Sequence, residues 1–272
     1  MNTISRRSAL GLAGGAVLAA ALPGTASAAT AWRNLGVVTA NIGRENLGRR
    51  EAAIVAVRNA LDLEGGEDRP LVGWQEIGEG DGDTLEKGWI NEHFGSYFRN
   101  LHLDDGGHRV PISAPKVYDV LAQRVTPVHG GKEGVSPNRV ITDVLLSAAD
   151  DPALKFAFVN THFVAGAWNG ETDPYEEWRD EMWGIHFGEL RVVMDHWHDQ
   201  GYPVIWTGDT NRSPMPKLYP ALETRAFDGG IDQIGWVPGT NGVEIRLRNT
   251  KTIPMDVDGH DARVAVLQLR RV

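Results

Sequence analysis

The chain has 272 residues, of which 42% are hydrophobic, and a formal net charge of −9. This length fits one large α/β or all-β domain as well as two small ones, and the negative charge excludes a uniformly basic nucleic-acid binder. A polyanionic substrate is not excluded, because a bound divalent cation or a local basic patch reverses the field inside one cleft. Since the chain has no cysteine, disulfides, thiolate metal sites and cysteine nucleophiles are all excluded.

The first 28 residues have the pattern of an export signal. Arg6 and Arg7 precede an uncharged apolar stretch that ends in Ala-Ser-Ala at 26–28, a small-x-small cleavage pattern. The arginine pair favours the twin-arginine route over an ordinary secretory signal, and the cleavage pattern argues against a membrane anchor. We therefore expect a cleaved, secreted protein without stable membrane insertion, whose single mature domain spans 29–272.

A strand–helix–strand unit is predicted at the start of this domain. Its strands lie at 35–42 and 69–77, and the helix between them places Ile54, Val57 and Leu61 on one stripe before Gly65-Gly66 ends it. Further strands are predicted at 118–125, 139–147, 155–163, 203–209, 231–237 and 263–271. A long helix is predicted at about 175–200, with Met182, Ile185, Leu190 and Val193 as its apolar positions.

The loop at 78–83 alternates glycine with acidic residues. Glu79, Asp81 and Asp83 could hold calcium, but the loop lacks the residue order of the helix–loop–helix calcium motif. A solvated turn is therefore the preferred interpretation.

Four predicted strands end in polar side chains. The residues are Asn41, Glu76, His162, and the pair Asp209 and Asn211. One such residue after a strand is usually a turn or a helix cap, but five at four strand ends favour a shared binding site, because binding groups collect at strand ends in α/β sheets.

Two further candidates lie in the last fifth of the chain. Asp232 begins a predicted strand, and His260 precedes the final one. A histidine oriented by a carboxylate can carry a proton near neutral pH, whereas a surface histidine among acidic loop residues is the alternative.

Six segments together resemble the motifs of a known superfamily. In order, they are TANIG, GWQEI, NTHF, WTGDTN, IDQIGWV and DGHDARVAV, between about Leu35 and Leu269. The chain resembles the endonuclease/exonuclease/phosphatase superfamily, which includes pancreatic-type deoxyribonucleases, apurinic endonucleases, neutral sphingomyelinases and inositol-phosphate 5-phosphatases. The resemblance implies an α+β, four-layered α/β sandwich of two facing mixed β-sheets flanked by helices, with the site at one rim.

The resemblance also implies a divalent metal. Glu76 would hold it directly, and Asn41 would act as a ligand or through a substrate contact. Hard oxygen donors suit Mg²⁺ better than zinc, with Mn²⁺ or Ca²⁺ as alternatives.

The other roles are implied in the same way. Asp209 and Asn211 would position or activate the attacking water and bind the phosphate, with both side chains pointing into one pocket from an extended segment. His162 would stabilise charge on the phosphoryl oxygens, and Asp232 would orient His260.

The sequence departs from the family pattern at Gly259, where an aspartate normally precedes the final histidine; Asp258 is the nearest replacement. Two more residues have open roles. Arg139, at the head of a strand, either lies beside the scissile phosphate or is a surface arginine, and Trp168 either lines a substrate groove or belongs to the core.

These features predict a secreted, magnesium-dependent phosphoester hydrolase, above all a phosphodiesterase acting on nucleic acid. A sphingomyelinase-like or other small-phosphoester hydrolase is the second interpretation, and a non-catalytic binding module of the same fold is the third. No obligate protein partner is implied. The loops at 78–88, 102–115 and 164–180 are expected to set the choice of substrate.

Overall fold

The computed structural model describes residues 29–43, 47–60, 70–78, 85–168, 175–257 and 259–272. Several predictions lie outside these ranges: the export signal, the acidic loop of Glu79, Asp81 and Asp83, the helix end at Leu61 and Gly65-Gly66, and Asp258.

The described ranges contain three helices and twelve strands. The helices are α1 (Leu47–Ala60), α2 (Leu85–Phe94) and α3 (Glu176–His198). The strands are β1 (Arg33–Asn41), β2 (Leu71–Gln75), β3 (Phe98–Leu101), β4 (Ile112–Pro115), β5 (Tyr118–His129), β6 (Arg139–Ala148), β7 (Asp151–His162), β8 (Val204–Asp209), β9 (Thr224–Arg225), β10 (Asp232–Val237), β11 (Val243–Val257) and β12 (His260–Arg271). None of these helices combines the length and apolar character needed to cross a membrane.

All eight predicted strands and both predicted helices are present, but the buried stripe of α3 differs from the prediction. Ile185 is 39% exposed, so its assignment to the apolar face was wrong. The stripe instead follows Trp183, His186, Leu190 and Val193, because the bulky Trp183 packs inward and sets the phase of the helix.

The elements that the sequence did not predict have weak patterns. Helix α2 contains Gly88 and buries Glu86 among its few apolar residues. Strand β11 alternates buried residues with long exposed polar stretches at the edge of its sheet, where β12 supplies the hydrogen-bond ladder.

The strands form two six-stranded sheets. The first sheet has the order β11-β12-β1-β2-β4-β3, and the second has the order β5-β6-β7-β8-β10-β9. Each contains one parallel pair, β1–β2 in the first and β7–β8 in the second, and its other pairs are antiparallel. Helices α1 and α3 follow β1 and β7 in the two crossover connections, so the carboxyl ends of each parallel pair lie at one sheet edge.

Buried apolar clusters separate four layers, as the resemblance to the superfamily implied. Val37 and Phe158 face the core between the two sheets. Their neighbours Val38 and Val159 face outward, Val38 toward α1 and α2 and Val159 toward α3. Both faces of each central strand are therefore buried, which explains why these strands read as continuous apolar runs.

A polar layer lies between the sheets, two residues closer to the strand ends than the apolar core. The side chain of Asn160 on β7 donates to the main-chain carbonyl oxygen of Trp74 at 2.8 Å and accepts from Gln75 Nε2 at 2.7 Å. Asn160 also accepts from Thr207 Oγ1 at 3.0 Å, and Thr39 Oγ1 donates to Gln75 Oε1 at 3.2 Å. These four polar side chains are fully buried, so the network fixes how the sheets face each other.

Replacing Asn160 should test this network. Asn160→Ala leaves several buried donors and acceptors without partners, and we expect the free energy of unfolding to fall by about 3 kcal/mol. Urea unfolding measures the change, with Asn249→Ala, at an exposed position of β11, as the control. Equal stability of the two variants would contradict the role of the network.

Candidate active site

Six of the predicted site residues lie together at one rim of the sandwich. Asn41, His162 and Asp209 end β1, β7 and β8, Glu76 follows β2, and Asp232 and His260 begin β10 and β12. Strands β10 and β12 run antiparallel to β8 and β1, so their first residues lie at the edge where the other strands end.

Asp209 lies at the centre of this cluster and joins the two sheets. Its Oδ2 accepts from Asn41 Nδ2 at 2.9 Å across the sandwich, and its Oδ1 accepts from the main-chain N–H of Asn211 at 2.8 Å. Burial, together with the negative charge of Asp232, raises the pKa of Asp209 to about 6. A carboxylate with this pKa is a workable base near neutral pH.

His260 and Asp232 form a hydrogen-bonded pair. His260 Nδ1 lies 3.1 Å from Asp232 Oδ2, and Nε2 lies 4.0 Å from Asp209 Oδ2. Burial alone would lower the pKa of His260, but the hydrogen bond and charge of Asp232, with the charges of the other carboxylates, outweigh burial and raise it to about 9. Without a bound cation, the imidazole is therefore protonated on both ring nitrogens and positively charged at neutral pH.

Arg139 fixes the orientation of the His162 ring through a hydrogen bond to Nδ1. Arg139 Nη1 lies 2.8 Å from His162 Nδ1, and because arginine only donates, Nδ1 is the acceptor and the proton lies on Nε2. His162 Nε2 lies 3.5 Å from Asp209 Oδ2 and 3.9 Å from Glu76 Oε1. Arg139 is 6% exposed, so the surface interpretation of this arginine is wrong.

Glu76 is turned into the rim by an unusual backbone conformation. Gln75 faces the inter-sheet network, so a regular strand would point the next side chain away from it. Instead Glu76 has φ +64°, which costs a non-glycine residue about 1–3 kcal/mol. This turn lets the carboxylate approach His162, and strain at such a position favours a functional role.

Asn211 does not lie on an extended segment, so that prediction was wrong. The chain turns after β8, Asn211 has φ +49°, and its Nδ2 donates to the carbonyl oxygen of Phe163 at 3.2 Å. This contact ties the turn to the end of β7, because the left-handed conformation redirects the side chain.

Gly259 also has a left-handed backbone, with φ +76°. A side chain there would meet nothing within 4 Å but would be strained. The left-handed conformation explains why a glycine is suited to this position.

The rim residues fit a divalent cation. Ligand atoms of Asp209, Asp232 and His260 lie within 4.8 Å of one another, and the buried Oδ1 of Asp232 has no hydrogen-bond partner. Because hard cations such as Mg²⁺ prefer carboxylate oxygens to imidazole nitrogens, the rim carboxylates, Glu76 among them, are the suitable ligands. In the structure, Asn41 Oδ1 accepts from the Gly43 N–H at 2.9 Å while its amide holds Asp209.

The comparisons with known proteins concern the fold. No family sequence model matches the chain, and a search of curated proteins found no match. An endonuclease/exonuclease/phosphatase family protein from Bacteroides thetaiotaomicron is similar in structure, with a TM-score of 0.61, 12% identity and coverage of 88% of this chain and 99% of that one.

Two other solved structures have related shapes. A mannosyl-6-phosphatase from the same organism has a TM-score of 0.58 and 13% identity, covering 87% of this chain and 98% of that one. D. rerio TDP2, complexed with single strand DNA product, has a TM-score of 0.61 and 13% identity, covering 86% and 98%. The chain therefore has the endonuclease/exonuclease/phosphatase fold, as the sequence motifs predicted.

The protonation of His260 can be measured directly. In metal-free protein treated with a chelator, the imidazole signals of His260 should titrate near pH 9. In Asp232→Asn the midpoint should move to lower pH, because burial remains while the hydrogen-bonded charge is lost. Histidine NMR measures both midpoints, with His196 on the exposed face of α3 as the internal control. An unchanged midpoint in the variant would show that Asp232 does not set the protonation of His260.

Proposed function

We propose that the protein is a secreted, divalent-metal-dependent phosphodiesterase that cleaves nucleic acid. The observation that carries the proposal is the convergence of Glu76, Asp209 and the Asp232–His260 pair at one rim. Phosphoryl transfer needs groups that position the nucleophile and stabilise negative charge, and this set provides both. Among proteins of similar structure, TDP2 was complexed with single strand DNA product.

Asp209 and His260 take different roles because their pKa values differ. Asp209, with a pKa of about 6, accepts the proton of the attacking water. His260, with a pKa of about 9, presents its Nε2–H to the leaving oxygen, which takes this proton as the P–O bond breaks, and Asp232 holds the imidazole in this orientation. Two neighbouring groups whose pKa values are moved apart are a common basis of acid–base assignment.

The remaining residues stabilise the phosphate. His162 directs its Nε2–H into the rim because Arg139 holds Nδ1, and this N–H can donate to a phosphoryl oxygen. Asn41 fixes Asp209 across the sheets. A divalent cation held by Glu76 would neutralise part of the charge on the phosphoryl oxygens.

Removing the glutamate should separate catalysis from folding. Glu76→Gln weakens the metal site, and we expect turnover in Mg²⁺ to fall by at least about 100-fold, with little change in melting temperature. Hydrolysis of plasmid DNA measures the loss, and Glu181→Gln on the exposed face of α3 is the matched control.

Full activity of chelator-treated wild type would refute metal dependence. Intact plasmid alongside rapid cleavage of sphingomyelin would favour the lipid-directed alternative. The mannosyl-6-phosphatase among the similar structures makes sugar and inositol phosphates the third arm of the substrate panel. Any metal-dependent turnover would exclude a purely binding role.

Export is proposed from residues 1–28. Cleavage after the Ala-Ser-Ala sequence at 26–28 should leave Ala29 as the mature N-terminus. N-terminal sequencing of protein from the culture medium checks this, and secreted protein that retains Met1 would contradict it.

A further inference from the structure

Arg212 follows Asn211 directly and lies on two tryptophan rings. Its guanidinium carbon is 3.8 Å from the ring centroid of Trp168 and 4.9 Å from that of Trp183. The backbone beneath it is also fixed, because Trp183 Nε1 donates to the carbonyl oxygen of Thr210 at 2.8 Å and Thr210 Oγ1 donates to that of Arg212 at 3.1 Å. The charge is therefore held in place by aromatic contacts and by an anchored turn.

Arg212 differs from the other arginines that lie over aromatic rings in the described part of the chain. Four of those are paired with carboxylates: Arg124 with Asp143, Arg191 with Asp195, Arg225 with Glu223 and Arg270 with Glu244. Two donate to neutral acceptors: Arg246 to Gln268 and Arg263 to the carbonyl oxygen of Gly229. The side chain of Arg212 makes no hydrogen bond or ion pair with the described residues, and its guanidinium N–H groups are of the kind that donate to phosphate oxygens.

Arg212 lies close in the chain to Asp209 of the proposed active site, on the side of β7 and α3. Arg212 is three positions after Asp209, which limits the distance between their Cα atoms to about 11 Å. Trp168 follows β7 and Trp183 belongs to α3, whereas Asp232 and His260 begin strands on the other side of β8 and in the facing sheet. A substrate group at Arg212 would therefore lie on the β7 and α3 side of Asp209, away from Asp232 and His260.

Trp168 adds an apolar surface to the charge. Trp168 is 45% exposed, although its ring packs edge-to-face against Trp183 with the two ring centroids 5.7 Å apart. Exposed indoles beside a cation are typical of single-stranded nucleic-acid sites, where bases stack on the ring and phosphates bind the charge. In a chain with net charge −9, such affinity must come from a local site.

We propose that Arg212 and Trp168 bind a single strand of nucleic acid next to the scissile bond, Arg212 holding the neighbouring phosphodiester and Trp168 stacking a base. This inference rests on the proposed function and names its substrate class. Arg212 and Trp168 then determine specificity, because a substrate with one isolated phosphodiester cannot occupy their site.

Binding without catalysis gives the first test. Fluorescence anisotropy with a labelled 12-nucleotide DNA strand, in chelator and over a series of salt concentrations, should show about tenfold weaker binding for Arg212→Gln. The slope of log K against log salt should fall by about 0.7, as expected for one lost phosphate contact to a single strand. Arg246→Gln removes a stacked arginine at the opposite end of the sandwich, near Trp32, and should bind as wild type does.

Three more variants distinguish the contribution of the charge from that of stacking. Arg212→Lys keeps the charge and should retain most of the salt slope. Trp168→Ala should weaken binding about tenfold, and Trp168→Phe should restore part of it. Melting temperatures within the range of the control variant show that the fold is intact.

Turnover gives the second test. For Arg212→Gln, the loss of kcat/KM on the oligonucleotide should exceed the loss on bis(4-nitrophenyl) phosphate, which has a single phosphodiester, by about tenfold and should lie mainly in KM. Equal losses on both substrates, or strand binding that is independent of Arg212, would overturn the inference. Wild type that cleaves neither substrate but needs Arg212 for strand binding would refute the proposed function and leave only the strand-binding part of this inference.

Discussion

The rest of the structure depends on the buried hydrogen bonds that join the two sheets. Asn160 of the second sheet meets the main chain and Gln75 of the first, and each bond constrains how the sheets slide and tilt. Gly73 is required at the point of closest approach, because a Cβ atom there would lie 2.2 Å from Thr207 Oγ1. A slip between the sheets would leave several fully buried polar groups without partners, at a cost of about 1–3 kcal/mol for each group.

The proposed active site extends this constraint toward the solvent. Along β7, the inward positions run from Phe158 in the apolar core through Asn160 in the polar layer to His162 at the rim, and β8 repeats the order from Ile205 to Asp209. A buried carboxylate such as Asp209 is costly unless it has partners. The amide of Asn41 donates a hydrogen bond to Asp209, and the polar layer around Asn160 lies between Asp209 and the apolar core. The carboxylate therefore has rigid, hydrogen-bonded surroundings. The same packing that fixes the sheets therefore holds the charged groups close enough to move each other's pKa values.

The sequence predicted the site residues that lie at strand ends. It did not predict side-chain directions that depend on a turn of the backbone or on the phase of a helix. From the polar residues after apolar runs, the sequence predicted one shared site for Asn41, Glu76, His162 and Asp209. The structure places these four residues at one rim, because parallel neighbours deliver their carboxyl ends to one edge. Sequence pattern could not predict the left-handed turn at Asn211 or the phase of α3 that exposes Ile185, since both depend on tertiary contacts. The contact of Arg139 with His162 and the stacking of Arg212 on Trp168 also join residues far apart in the chain, and no local signal marks them.

The central claim is that the rim formed by both sheets binds the catalytic cation. The most direct measurement is anomalous diffraction from crystals soaked in Mn²⁺, which replaces Mg²⁺ at sites of oxygen ligands. The account predicts an anomalous peak within bonding distance of the Glu76 carboxylate and beside Asp209. A rim without manganese, in crystals that bind the ion elsewhere, such as at the surface group of Glu51, Glu92 and His93, would contradict it.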